Sequence, residues 1–322
     1  PKAQEKDPGS ADGGENAVEA QDRDFLANKA EFLLKATVRL NSVYDELKTY
    51  KRDVPDPGTS VIWLLTNREF FIEQTEKLSQ ELELVRKRAV YADARRVYAL
   101  ARDFIRRQGF SAFTLTALTD SWPTQEGADE LSLPELETVP TMLRLAALEM
   151  FMEYCDTQKL IAMAPQDADR IFMHTVDGMK YIAKADFGAF IRNVSVIDRV
   201  LQKDMTYGRM DSRTQATYRA AVHKLAQRSR MAESAVARAA MQMAGSYRVQ
   251  APAGAKHPYY YDLRPTHCGY YLVSDGRDAF EESLGIVPGR IDTLRRWMRA
   301  RRPALYLASM FGVTVIGTFV FT

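Results

Sequence analysis

The stretch ADELSLPELETVPTMLRLAALEMFMEYC, residues 128–155, decides how the rest of the chain is read. Ser132 and Glu135 have the spacing of a capping box, in which each side chain satisfies the other residue's free backbone amide. Pro134 suits the first turn of a helix, where a missing N–H costs nothing. A helix therefore starts here. Pro140 removes one hydrogen bond further on, which predicts a kink or a restart. Beyond it Leu143, Ala147, Met150 and Tyr154 continue an apolar stripe at three- and four-residue steps.

The same period runs outward in both directions. It predicts a helix over 25–50, with Leu26, Leu33, Leu40, Tyr44 and Leu47 on one face. The break RDVPDPGTS follows, then a second helix over 59–85 carrying Leu64, Phe71, Leu78, Leu82 and Val85. A third covers 89–108 with Val90, Val97, Ala101 and Phe104, ending at Gly109 as C-cap, and a short helix follows near 111–121. Downstream, Phe187, Phe190, Ile191, Val194, Ile197 and Leu201 predict a helix over 186–203. Tyr218, Val222, Leu225, Ser229, Ala232, Val236, Ala239 and Met243 predict the longest one, over 211–245. No alternating strand run stands out, with GYYLVS at 269–274 as the one candidate. The expected fold class is all-α: a multi-helix bundle of roughly eight helices over 23–250, with no internal repeat.

The two ends differ from this body. Residues 1–22 are polar and acidic and read as a disordered lead-in. Residues 251–289 are rich in proline, glycine and tyrosine and read as an irregular connector. A basic segment, 290–302, then carries Arg290, Arg295, Arg296, Arg299, Arg301 and Arg302 around Trp297. From 303 to 322 no charged residue occurs, which is about the length a helix needs to cross a bilayer. The expectation is a C-terminal transmembrane helix, with Tyr306 at the headgroup level and the arginines holding residues before 303 on the cytoplasmic side of a bacterial inner membrane. The alternative is a buried core helix. A span that ends at Thr322 without a flank suggests a longer protein.

Composition narrows the function classes. The net charge of +2 creates no field that would demand nucleic acid. Cys155 and Cys268 make neither a disulfide framework nor a metal pattern, and His174, His223, His257 and His267 are scattered. No P-loop, dinucleotide fingerprint or nucleophile elbow occurs, so no catalytic, cofactor-binding or metal residue is expected in this segment. Asp22-Arg23-Asp24 is formally the carboxylate pair of a metal–nucleotide-sugar site, but its place before a helix favours N-capping. DTLRRW, 292–297, has part of a processive glycosyltransferase motif, and membrane anchoring accounts for it better. Tyr259, Tyr260, Tyr261, Tyr270 and Tyr271 could stack on sugar rings or pack the connector onto the bundle; packing is the simpler account.

Several stretches, in order, resemble the cyclic β-1,2-glucan synthase family. VIWLLTNREFFIEQTEKLSQEL is similar to a family helix, with Trp63, Asn67, Glu73 and Gln74 in place. RRVYALARDFI follows. LSLPELETVPTMLRLAALEMF, 131–151, matches at Glu135, Pro140, Arg144 and Glu149, with Glu137 where the family has tryptophan. MDSRTQATYRAAVHKLAQRSR matches at Tyr218 and Arg219, with Lys224 in place of a glutamate, and HCGYYLVSDGRDAFEESLG matches at Tyr270 and Tyr271. LRRWMRARRPALYL resembles the family's run into the membrane. The resemblance covers about residue 60 onward and implies a very large inner-membrane enzyme. Such an enzyme polymerises glucose from UDP-glucose, with Mg2+ or Mn2+, on a protein-bound primer and then cyclises the chain.

By that resemblance the transferase domain lies beyond Thr322. The matched positions are then structural, and the partners are membrane lipid and the downstream transferase domain. A second reading, of another class, is a tail-anchored helical adaptor that binds protein partners at the inner membrane.

Overall fold

The computed structural model describes residues 12–88, 93–108, 114–122, 130–247 and 262–289, with Thr293 and Met310. Helix α1 (Asp12–Asp53) and helix α2 (Thr59–Arg88) form an antiparallel hairpin. Its direction follows from two contacts. The hydroxyls of Thr37 and Thr75 are 3.0 Å apart, and Arg68 donates to Asn41 at 2.5 Å. Leu26, Leu33, Leu40 and Leu47 on α1, and Leu64, Phe71, Leu78 and Val85 on α2, recur every seventh residue and are all buried. A seven-residue apolar repeat keeps one seam facing a partner helix, which is why these two pack along their length. Gly58, with φ 85, makes the turn between them.

Helix α3 (Ala94–Gln108) and the short α4 (Leu115–Ser121) lead to α5 (Leu133–Met152), which sits at the centre. Sixteen of its twenty residues are buried, so it has no solvent stripe. The predicted capping box is present: Ser132 accepts from the Glu135 amide and Glu135 accepts from the Ser132 amide. Pro140 lies inside a helix that continues unbroken, so the expected restart does not occur. Packing of α2, α3, α8, α9 and α11 around α5 outweighs the one lost hydrogen bond.

Helix α6 (Thr157–Ile161) precedes α7 (Pro165–Ala168), which runs through a π-helical turn (Asp169–Met173) into α8 (His174–Lys184). The π turn aims Phe172 at the core. Phe71 and Phe151 stack at 4.0 Å, Phe172 meets Phe151 edge-on at 5.3 Å, and Trp63 stacks on Phe172 at 4.8 Å. These rings lock α2, α5 and the π turn together.

The remainder departs from expectation in three places. The predicted 186–203 helix is two, α9 (Phe187–Val194) and α10 (Val196–Leu201), because Ser195 ends the first and caps the second. The predicted 211–245 helix is also two, α11 (Ser212–Ser229) and α12 (Glu233–Ser246). Arg230 takes the left-handed conformation, φ 56, and reverses the chain. Among the described residues the longest helix is therefore α1. GYYLVS is not a strand but part of α13 (Cys268–Val273), followed by α14 (Arg277–Ser283). Among the described residues no strand occurs.

The ends need correction too. Residues 12–22, expected as lead-in, are already helical in α1. Residues 262–289, expected as irregular connector, fold through a 3-10 turn (Arg264–Thr266), α13 and α14 and pack against α11 and α12. The chain thus has a large core shared by α1–α9 and a second core shared by α10–α14. Among the described residues, no helix is long and apolar enough to cross a membrane. The expected span 303–322, with Tyr306, and the anchoring residues Arg295, Arg296, Trp297, Arg299, Arg301 and Arg302 lie outside the described residues, as do residues 1–11 and 251–261.

Candidate functional site

Among the described residues, those singled out in the sequence do not converge on one pocket; Arg144, Glu149 and Tyr218 tie helices together at separate points, while Asn67 and Glu73 act within their own helix and Glu135 caps its own. Trp63 packs in the aromatic stack, and Asn67 donates to its carbonyl at 2.9 Å. Glu73 is exposed and pairs with Lys77 at 2.5 Å, while Gln74 is buried beside it. Arg144, which is buried, pairs with the part-exposed Glu81 of α2, and the Thr141 hydroxyl donates to the same carboxylate at 2.8 Å. Glu149 receives Lys29 of α1 at 2.8 Å and the Tyr98 hydroxyl of α3. Lys29 also lies 4.1 Å from the centre of the Tyr98 ring, a cation–π contact. Burial pushes the Glu135 carboxyl above the ordinary carboxylate range, although the Ser132 amide and hydroxyl and Arg96 pull the other way.

Asp22 does act at a helix N-terminus, but not its own. Its carboxylate accepts from the amides of Ala94 at 2.8 Å and Arg95 at 3.1 Å, capping α3 from α1. Burial raises its pKa even so. A carboxylate turned onto these amides is not presented for a metal–nucleotide site.

The junction of the two cores is a reciprocal cap. The Leu133 amide at the start of α5 donates to Glu233 at 3.0 Å, and the Ser234 amide at the start of α12 donates to Glu130 at 3.1 Å. His223 of α11 places Nδ1 against Glu233 and Nε2 against Gln227. Glu233 therefore links α5, α11 and α12 through one side chain.

Inside the second core lies a charged pair. Arg219 reaches Asp198 at 3.1 Å, and the Tyr207 hydroxyl donates to the same oxygen at 2.5 Å. Asp198 is 0 % exposed and Arg219 4 %. Burial drives the Asp198 carboxyl upward against the pull of Arg219, Tyr207 and Ser195, and drives the Tyr207 phenol up as well. An open cleft of about 590 Å³ is lined by Arg192, Gln202, Gly208, Met210, Ser212 and Gln215, and the Gln215 amide donates to the Tyr207 carbonyl at 3.2 Å.

A second polar group joins the loop after α10 to α11 and α13. Asp204 accepts from His267 Nδ1 at 2.6 Å and from the amides of Cys268 at 3.0 Å and Thr206 at 2.9 Å. Burial alone would raise the Asp204 pKa; these donors outweigh it and hold the carboxyl below its usual range. An ionised Asp204 places the proton on Nδ1, so a neutral His267 accepts the Tyr218 hydroxyl at Nε2, 3.2 Å away. Gly269 allows this approach, because a Cβ there would run into the Tyr218 hydroxyl and the His267 ring. Tyr218 thus belongs to a relay that sequence spacing did not reveal: Asp204 and His267 are 63 positions apart.

Tyr271 is buried and meets Phe280 edge-on at 6.3 Å, with Tyr270 against it at 5.2 Å, so Tyr271 packs α13 onto α14. Tyr259, Tyr260 and Tyr261 lie outside the described residues.

No protein-family profile matches the chain. It is 29 % identical, over 124 residues or 38 % of its length, to the cyclic beta-(1,2)-glucan synthase NdvB of Rhizobium meliloti (strain 1021). The matched stretch spans 4 % of that protein's length.

Proposed function

We propose that this chain is a cytoplasmic helical support in a larger membrane-bound glucosyltransferase that builds a β-1,2-linked glucan from UDP-glucose. It braces or regulates the transferase and does not itself catalyse. The observation that carries the reading is the 29 % identity to a cyclic glucan synthase. The placement of the resembling positions supports a supporting role: Arg144, Glu149 and Arg219 each spend their charge on another helix. Its partners are the transferase domain of the same protein and, through residues 290–322, membrane lipid. UDP-glucose and Mg2+ or Mn2+ belong to that transferase domain.

The test uses membranes from cells carrying the complete reading frame. Replacing it with a form that lacks residues 12–289 strongly lowers glucose incorporation from UDP-glucose. Undiminished incorporation with a normal amount of enzyme would remove the proposed role. Calorimetric titration of the chain itself with UDP-glucose gives no isotherm under this reading, and a saturable one would place a substrate site here.

A further inference from the structure

We propose that Asp204, His267 and Cys268 form a binding site for one divalent cation of the zinc class. The proposal rests on geometry and is independent of the glucan reading. The carboxylate oxygen, the imidazole nitrogen and the thiol sulfur all lie within 4.8 Å of one another. They come from the loop after α10 and the start of α13, so only the folded chain assembles them. Sulfur, nitrogen and oxygen donors in one cluster suit a borderline ion such as Zn2+, and a three-ligand set leaves one position for solvent.

The distances are close to what such an ion requires. Two ligands held at about 2.0–2.3 Å in tetrahedral geometry sit roughly 3.3–3.7 Å apart. Asp204 Oδ2 and His267 Nδ1 are at 2.6 Å, and His267 Nδ1 and Cys268 Sγ are at 4.0 Å. The first pair must open and the second close by less than about one ångström, shifts that side-chain torsions supply. The surrounding bonds already fix the donors. The Thr206 and Cys268 amides hold the carboxylate, and the Tyr218 hydroxyl holds the far side of the imidazole. Such outer contacts orient metal ligands and tune affinity.

The proton balance is definite. The cation displaces the proton from Cys268, which leaves to solvent, and Sγ binds as thiolate. As the metal takes Nδ1, the proton of His267 shifts to Nε2 through solvent, and the Tyr218 hydroxyl turns to accept a hydrogen bond from Nε2–H. The imidazole stays neutral, so one proton is released per ion bound. The side chain of His267, 20 % exposed, provides the route from solvent.

The test is titration of the chelator-stripped chain with Zn2+, and with Co2+ as a coloured stand-in. The expected result is about one equivalent per chain, a thiolate-to-cobalt charge-transfer band, and one proton released when the heat is compared between buffers of different ionisation enthalpy. Cys155→Ser retains the band and Cys268→Ser loses it. Tyr218→Phe weakens binding about tenfold. No band in the unaltered chain, or a band that survives Cys268→Ser, overturns the proposal. His267→Gln is a supporting variant; Cys268→Ser, nearly isosteric and checked by its circular dichroism, decides the question if His267→Gln does not fold.

Discussion

The two cores of this chain solve the same problem differently. The α1–α9 core is closed by long helices, a heptad seam and stacked rings, and its interhelix ion pairs keep a partner part-exposed, as at Lys29–Glu149 and Arg144–Glu81. The α10–α14 core has shorter helices, several small residues such as Ala221, Ala237 and Ala240, and an ion pair at its centre. Small side chains bury little apolar area. The second core compensates with directional bonds: Asp198, Tyr207 and Arg219 together, and Asp204, His267 and Tyr218 together. The first core should tolerate polar change at its rim and resent loss of volume. The second should do the reverse.

Each core holds one buried cysteine, which makes the contrast measurable. Burial pushes the Cys155 thiol up to about 12, and burial with the neighbouring Asp204 carboxylate raises Cys268. Both residues are 0 % exposed, so their rates of alkylation by a bulky reagent in metal-free buffer report local opening. The largest effect is expected for Phe151→Ala, which removes a ring stacked on Phe71 and meeting Phe172 and costs about 3–5 kcal/mol. Cys155 should then label at least about a hundredfold faster in metal-free buffer. If Cys268 accelerates equally, the two cores open as one unit, joined through the Glu233–Leu133 and Glu130–Ser234 caps.

Arg219→Met is the counterpart in the second core. It leaves Asp198 buried without its cation, a change worth about 3 kcal/mol or more. Cys268 should label faster while Cys155 lags. The pH dependence follows from the sign of the Asp198 shift. A carboxyl whose folded pKa lies above its unfolded value contributes stability at acidic pH and loses it as pH rises. The variant, with the cation gone, raises that pKa further, so its deficit grows above about pH 4 and shrinks on acidification. Equal deficits at acidic and neutral pH would show that lost packing, not the charge, dominates.

Gly269→Ala ranks next. Alanine in a helix is favoured over glycine by about 1 kcal/mol, but overpacking costs about 1–3 kcal/mol. The steric term should win, since the new methyl meets both the Tyr218 hydroxyl and the His267 ring. A stabilised variant would mean that the Tyr218 relay yields easily.

The same contrast explains what could be read in the sequence. The seven-residue recurrence of Leu26, Leu33, Leu40 and Leu47 and the Ser132–Glu135 box are local signals, so α1, α2 and the start of α5 were legible. The breaks at Ser195 and Arg230 were not, because neither carries the glycine or proline that usually marks one. Tyrosines and a valine made 269–274 look like a strand, whereas packing of Tyr271 and Leu272 into the second core makes it a helix. Arg144, Glu149 and Arg219 were visible through the family resemblance, but their partners Glu81, Lys29 and Asp198 were not. Long-range polar partners have no spacing rule.

The smallest expected effect tests whether an exposed bond at the edge of the second core matters at all. Asp211 caps α11, accepting from the amides of Arg213 at 2.9 Å and Thr214 at 3.0 Å and from the Thr214 hydroxyl at 2.6 Å. The Thr214 hydroxyl bond, with these amides, holds its pKa below the ordinary value. A depressed carboxyl contributes stability above its unfolded pKa, near 4, and loses it as pH falls through the folded value. Asp211→Ala should therefore lower the melting temperature slightly at pH 7, with the difference fading below about pH 4. Asp211→Asn keeps a capping oxygen and should behave like the parent at pH 7 without that acid dependence. Cys268 labelling should rise in Asp211→Ala with Cys155 unchanged. A difference that persists undiminished into acid would mean that the ionised carboxylate is not what holds the start of α11, and that the second core depends less on its directional bonds than its geometry implies.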